Sequence, residues 1–196
     1  DFLGMFNIAG QNSKEIIYAY QHTANTFAFT DAIRIFNNQD GGWASWVPTA
    51  NLVDMFEMKN GLMPGEAGSG YDAAHPYANR DPRLKNTVVY PGEDWIGYDG
   101  KKRVINTVDK TINGIKNYDY YMVADNASKT GLIFAKYAAP ISQYSAALNN
   151  DNLCPIFFRY AEVLLTIAEC DVELNDNLTE ALNLVDQLRV RGGMTP

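Results

Sequence analysis

R-Y-A-E-V-L-L-T-I-A-E-C, Arg159 to Cys170, and E-A-L-N-L-V-D-Q-L-R-V-R-G-G, Glu180 to Gly193, carry two successive copies of the helical period. In the window Phe158 to Asn175, the residues Tyr160, Val163, Leu164, Ile167, Ala168 and Leu174 recur on one face, while Glu162, Thr166, Glu169 and Glu173 take the other. After the turn Asn175-Asp176-Asn177, the spacing of Asn177 and Glu180 has the form of a capping box. Ala181, Leu184, Val185 and Leu188 then make a second stripe that ends in Arg189, Arg191 and the stop Gly192. The pattern predicts two antiparallel helices packed through Leu164, Ile167, Leu184 and Leu188, with Arg159 pairing Glu162 one turn on. The unit has about the length of a tetratricopeptide repeat. One hairpin cannot bury both of its faces alone, so it must pack on other parts of the protein.

Upstream the regular pieces are shorter. Lys14 to Tyr20 alternates as a strand, and Thr87 to Tyr90 is β-like. Asn51 to Lys59 places Leu52, Met55 and Phe56 at helical spacing, with Asn51 as N-cap and Gly61 as stop. Asp81-Pro82 offers a cap followed by proline at the first helical position, which predicts one helical turn. Ile112 to Tyr137 has no clean period and reads as irregular, with at most one strand. The expected division is a loop-rich, ligand-binding subdomain over residues 1–157 and a helical hairpin over 158–196.

Composition removes several classes of function. Sixteen Lys and Arg against 23 Asp and Glu leave a net charge of −7, and no basic run exceeds Lys101-Lys102-Arg103. Nucleic acid is therefore not an expected partner, since phosphate neutralisation needs a positive stripe. At 196 residues the length suits one large domain, with 46% hydrophobic residues and no apolar run approaching a bilayer span. Cys154 and Cys170 lack metal-ligand spacing and read as small hydrophobes; His22 and His75 have no ligand partners around them, so neither a metal nor another cofactor is expected. Ser69 is not in a nucleophile motif. Glu93 and Asp94 are adjacent, whereas glycoside hydrolysis needs two carboxylates about 5 to 9.5 Å apart across a sugar. They read as surface acids, and no catalytic residue is assigned. The opening Asp1-Phe2-Leu3-Gly4-Met5 carries no leader and no lipid-acceptor Cys, so the chain is expected to begin inside a longer protein.

Aromatic residues reach 12%, and all three Trp lie in loop-like text. Q-D-G-G-W-A-S-W-V-P, Gln39 to Pro48, and G-E-D-W-I-G-Y-D-G, Gly92 to Gly100, each combine turn-forming glycines, rings and polar side chains. A pyranose presents an apolar face that stacks on such rings, and amides and carboxylates bond its hydroxyls. The expected platform is Trp43 and Trp95 with Tyr98 beside them, and Asn38 and Asp40 are the leading hydroxyl partners. Trp46 completes the candidate set, although its A-S-W-V setting suits the core best of the four rings. The negative net charge favours a neutral oligosaccharide.

These residues resemble the SusD/RagB family. The two helical stretches look like its carboxy-terminal signature. K-E-I-I-Y-A (Lys14 to Ala19), N-L-V-D-M-F-E-M-K-N-G (Asn51 to Gly61), P-Y-A-N-R-D-P-R-L (Pro76 to Leu84) and T-G-L-I-F-A-K-Y (Thr130 to Tyr137) follow the family order. The resemblance implies a mainly α, SusD-like fold: a tetratricopeptide-like helix pair with a loop-rich subdomain and a few short strands. It implies a non-enzymatic, cell-surface protein held at the outer membrane by an amino-terminal lipid outside this chain. Such a protein captures oligosaccharide, or peptide in RagB-like members, and passes it to a SusC-like TonB-dependent transporter. A helical-repeat module that binds only protein is the bland alternative. The motif Pro76 to Leu84 and Arg159 are expected to serve structure.

Overall fold

The computed structural model describes residues 2–122, 126–138 and 148–196. The expected hairpin closes the chain as α4 (Tyr160–Glu173) and α5 (Leu178–Arg191). These two helices hold more residues than all the short strands combined. Ahead of them, among the described residues, lie three short α-helices, α1 (Ala32–Ile35), α2 (Ala50–Asp54) and α3 (Pro82–Lys85). Among the described residues eight short strands form four antiparallel pairs: β1 (Ile16–Ala19) with β8 (Ile156–Arg159), β2 (Val88–Val89) with β7 (Ile133–Phe134), β3 (Asp94–Ile96) with β4 (Lys102–Val104), and β5 (Thr111–Ile112) with β6 (Ile115–Lys116).

The hairpin packs through Ala161, Leu164 and Ala168 against Ala181, Leu184 and Leu188. Ile167 is a correction to the expected seam: it is 43% exposed, and Tyr160, Val163 and Leu174 also face outward. The apolar stripe of α4 is wide enough for two neighbours, and α5 covers only the strip at positions 161, 164 and 168. Phe158 and Arg159 belong to β8 rather than to the helix, because their backbone pairs with Tyr18 and Ile16 of β1. That pairing also redirects Arg159. Its guanidinium reaches Glu15 at 2.7 Å instead of Glu162, and Arg191 from the end of α5 meets the other oxygen of the same carboxylate at 2.6 Å. Burial works against the Glu15 charge, but the hydrogen bonds from Arg191 and Arg159 outweigh it and hold the carboxyl below its usual range.

Two expected caps also change. Asn177 sits in the left-handed region at φ 48° and makes no side-chain capping bond, so the capping box does not form. At α2 the cap is Thr49, whose hydroxyl accepts from the Leu52 N–H at 3.2 Å, and the helix ends at Asp54, well short of Gly61. Asp81 does cap α3, accepting from the Arg83 N–H at 2.8 Å with Pro82 at the first position. The neighbouring Arg80 is spent on structure: its guanidinium donates to the carbonyls of Val53, Phe56 and Pro76.

The main core gathers Phe29, Ala32, Ile35 and Phe36 around α1 with Val89, Trp95, Ile105, Ile133, Ala135, Leu148 and Leu153. Asp151 is buried at its edge. Its backbone pairs with Phe29, its Oδ1 accepts from the Leu153 N–H at 3.0 Å, and its Oδ2 has no partner among the described residues. Burial pushes this carboxyl up to about 6. An unfolded Asp titrates near about 3.9, so between about pH 4 and pH 6 the folded chain binds the extra proton. Asp151 therefore lowers stability as pH rises through that window and has no further effect above it. Asp151→Asn should gain on the wild type progressively from pH 4 to pH 6 in urea melts, whatever slope other carboxylates add to both. A constant difference across that range would show that Asp151 keeps its charge on folding.

Candidate functional site

Residues 37–46 form the central loop, and its path follows from unpaired helix carbonyls. The last carbonyls of a helix have no partner within it, and here the loop supplies them. The Trp43 N–H donates to Ile33 O at 2.6 Å, the Ala44 N–H to Phe36 O at 2.8 Å, and the Ser45 and Trp46 N–H groups to Arg34 O at 2.9 and 3.0 Å. To do so Ala44 adopts φ 43°, and Gly42 lies so close to Phe36 that a Cβ would collide with that carbonyl. Ala44 is buried by this wrap, while Trp43 and Trp46 on either side are 41% and 48% exposed. The Arg34 guanidinium lies 5.6 Å from the Trp43 ring centre and 5.9 Å from that of Trp46, within cation–π range of both. Asp31 accepts from Arg34 Nε at 3.0 Å and fixes it there. The result is a surface of two indoles held around one guanidinium.

The second expected loop does not present its tryptophan. Residues 94–104 form the β3–β4 hairpin, whose alternation turns Asp94 and Ile96 outward and Trp95 inward. Trp95 is 8% exposed in the main core, so the expected exposed ring is corrected, as is the core setting expected for Trp46. Tyr98 is half-buried and meets Phe36 edge-on at 5.6 Å. Burial raises its hydroxyl above the usual range, and the Asp151 charge adds to that.

Asp40 is likewise internal. Its carboxylate accepts from Trp95 Nε1 at 2.8 Å, from the Tyr98 N–H at 2.9 Å and from Arg103 at 2.7 Å. Gly97 completes the nest, since a Cβ there would strike both Asp40 and Arg103. These contacts place Asp40 as the pin between the two loops rather than at a surface. Asn38 is half-buried, and with Gln39 it lines a cleft of 270 Å³ whose lining contains none of the tryptophans. Glu93 and Asp94 are each engaged by a lysine, Lys85 and Lys102 respectively. Among the described residues no group of three or more His, Cys, Asp or Glu could hold a metal ion, and no helix is long and apolar enough to cross a membrane.

Two contributors were not named from sequence. Arg34 is an ordinary charge in D-A-I-R-I-F and becomes part of the surface only because the loop returns over α1. The β5–β6 hairpin beside Asn38 was readable, because Asn113-Gly114 between Thr111-Ile112 and Ile115-Lys116 is the strongest short hairpin signal. Both turn residues have positive φ, at 51° and 78°.

A helical hairpin fixed to a loop-rich body by one strand pair and an arginine clamp, with exposed indoles on the loops, defines a SusD-like architecture. The SusD family model matches residues 10–196, and the chain belongs to that family. A SusD-like carbohydrate-binding protein from Bacteroides fragilis is 28% identical, with a TM-score of 0.73 over 96% of this chain and 36% of that one. A second SusD-like protein from Bacteroides fragilis is 21% identical, with a TM-score of 0.69 over 98% of this chain and 38% of that one. Surface glycan-binding protein A from Bacteroides uniformis, 17% identical, has a TM-score of 0.52 over 100% of this chain and 34% of that one. The chain thus spans little more than a third of these neighbours' length. No curated protein matches the sequence.

Proposed function

We propose that this chain is the loop-bearing part of a cell-surface glycan-binding protein, which captures a neutral oligosaccharide and delivers it to a SusC-like TonB-dependent transporter. A lipid anchor at the outer membrane belongs to the same reading. The observation that carries it is the pair of exposed indoles, Trp43 and Trp46, held around Arg34 by backbone bonds to α1. Large rings at a surface expose apolar area without return unless something stacks on them. In the same reading residues 1–157 hold the ligand and 158–196 join the helical scaffold. The same reading is of a binding protein rather than a hydrolase, and Glu93 and Asp94 are each engaged by a lysine, Lys85 and Lys102.

The platform is tested by calorimetry on the whole protein, using neutral oligosaccharides that a glycan array retains. Trp43→Ala and Trp46→Ala should each weaken binding by about 1 to 3 kcal/mol, the range for stacking on an aromatic side chain, or about one to two decades in Kd. Trp95→Ala should act mainly on stability. Unchanged affinity in both surface variants, with the fold intact, would remove this face from the site.

A further inference from the structure

A second concave site has none of the tryptophans in its lining. Its 270 Å³ cleft is formed by Asn38 and Gln39 on one wall and by the β5–β6 hairpin with Asn113, Lys116 and Tyr118 on the other. The walls are tied from beneath. The Asp119 carboxylate accepts from the Gln39 N–H at 3.1 Å and from Asn37 Nδ2 at 2.7 Å. Asn117 donates to the carbonyls of Asn106 and Asp109, both at 2.8 Å, and accepts from the Asp119 N–H at 3.0 Å. These bonds spend Asn117 and Asp119 on holding the cleft open.

The remaining polar groups are uncommitted. The side-chain amides of Asn38, Gln39 and Asn113 make no hydrogen bond within the described residues, and each offers a donor beside an acceptor, the pairing that vicinal sugar hydroxyls accept. Among the described residues Lys116 is the one charged residue in the lining. Its ammonium rests 4.9 Å from the ring centre of Tyr118 and pairs with no carboxylate among the described residues. A cation held on a ring face is positioned without being neutralised, so its charge is available to a ligand. The Asp119 carboxylate in the supporting layer is buried and accepts from Asn37 and the Gln39 N–H.

We infer that this cleft is a second saccharide site that takes a sugar carrying a carboxylate, a hexuronate residue, with Lys116 bonding the carboxylate and Asn38, Gln39 and Asn113 its hydroxyls. The inference rests on the glycan-binding reading but concerns a different surface from Trp43 and Trp46. A neutral chain with an occasional uronate would then use both faces, and the overall charge of −7 would still disfavour a polyanion.

The probes are trisaccharides of galacturonate, glucuronate and mannuronate, each beside its carboxyl-reduced neutral counterpart, measured by calorimetry on the whole protein. At least one uronate should bind tenfold or more tightly than its reduced form. Lys116→Gln should erase that preference, bringing the uronate's affinity down to that of its reduced form. Asn38→Ala should weaken both. Lys116→Arg, which keeps the charge, should retain the preference. Equal binding of acidic and reduced forms, or a preference that survives Lys116→Gln, would overturn the inference. Trp43→Ala separates the two readings. If it weakens neutral binding while no uronate preference exists, only this inference fails; if the Lys116-dependent preference persists and Trp43 and Trp46 prove silent, only the platform fails. Binding of none of the probes would overturn this site.

Discussion

Asp40→Ala should lower the unfolding free energy by about 3 to 5 kcal/mol, the cost of removing one partner from a buried ion pair. The Asp40 side chain is fully buried and holds Arg103 at 2.7 Å, with Arg103 itself mostly buried. Its loss also strands the Trp95 indole N–H and the Tyr98 backbone N–H. Arg103 keeps Asp99, which softens the loss of its first partner. Urea unfolding followed by tryptophan emission reads the result, and Asp40→Asn, which retains an acceptor, should lose less. The same experiment separates pinning from binding. A ligand-contacting Asp40 would reduce affinity at constant stability, so a loss below about 1 kcal/mol in the alanine variant would remove it from the pin described here.

Phe36→Ala should cost a comparable 3 to 5 kcal/mol, about the range for deleting a fully buried aromatic ring. Phe36 is wholly buried, 6.1 Å from Trp95 and 5.6 Å from Tyr98 between ring centres. Its removal opens a cavity beneath the loop that carries the two exposed indoles. Phe36→Leu, which refills part of the volume, should recover a large part of the loss. If the alanine variant melts within about 1 kcal/mol of the wild type, the core around α1 collapses to fill the space and is not the rigid base of the loop. Asp40 and Phe36 share Trp95 and Tyr98 as neighbours, so the double variant should fall short of the sum of the singles.

The SusD-like fold was legible because its most informative stretch is local. Leu164, Ala168, Ala181, Leu184 and Leu188 repeat at helical spacing, and helical spacing alone brings them to one face. Asp81-Pro82 was legible for the same reason, since a cap and the first turn involve only adjacent residues. The sequence misassigned Phe158 and Arg159 because their partner, β1, lies about 140 residues away in the chain. It misread Asn177 because a capping motif and a left-handed turn use the same residue type.

The candidate site divides along the same line. Both tryptophan loops were found from their glycines and rings, but which ring faces water is not a local property. Trp95 is buried because β3 pairs with β4 and its alternation carries the indole toward Asp40 and Phe36. Trp46, in a more apolar neighbourhood, is exposed because its backbone is drawn to the Arg34 carbonyl and Ala44 takes the inward position.

By itself the sequence determined the helical hairpin, the strand at β1, the cap at Asp81, the family to which these belong and the presence of ring-bearing loops. Each of these depends on periodicity or on neighbours within a few residues. Only the tertiary structure decided that Asp40 is a pin, that Trp43 and Trp46 share Arg34, and that Asn38 faces Lys116 across a cleft. Those outcomes depend on long-range hydrogen bonds and on burial, where one side chain's environment is set by residues tens of positions away.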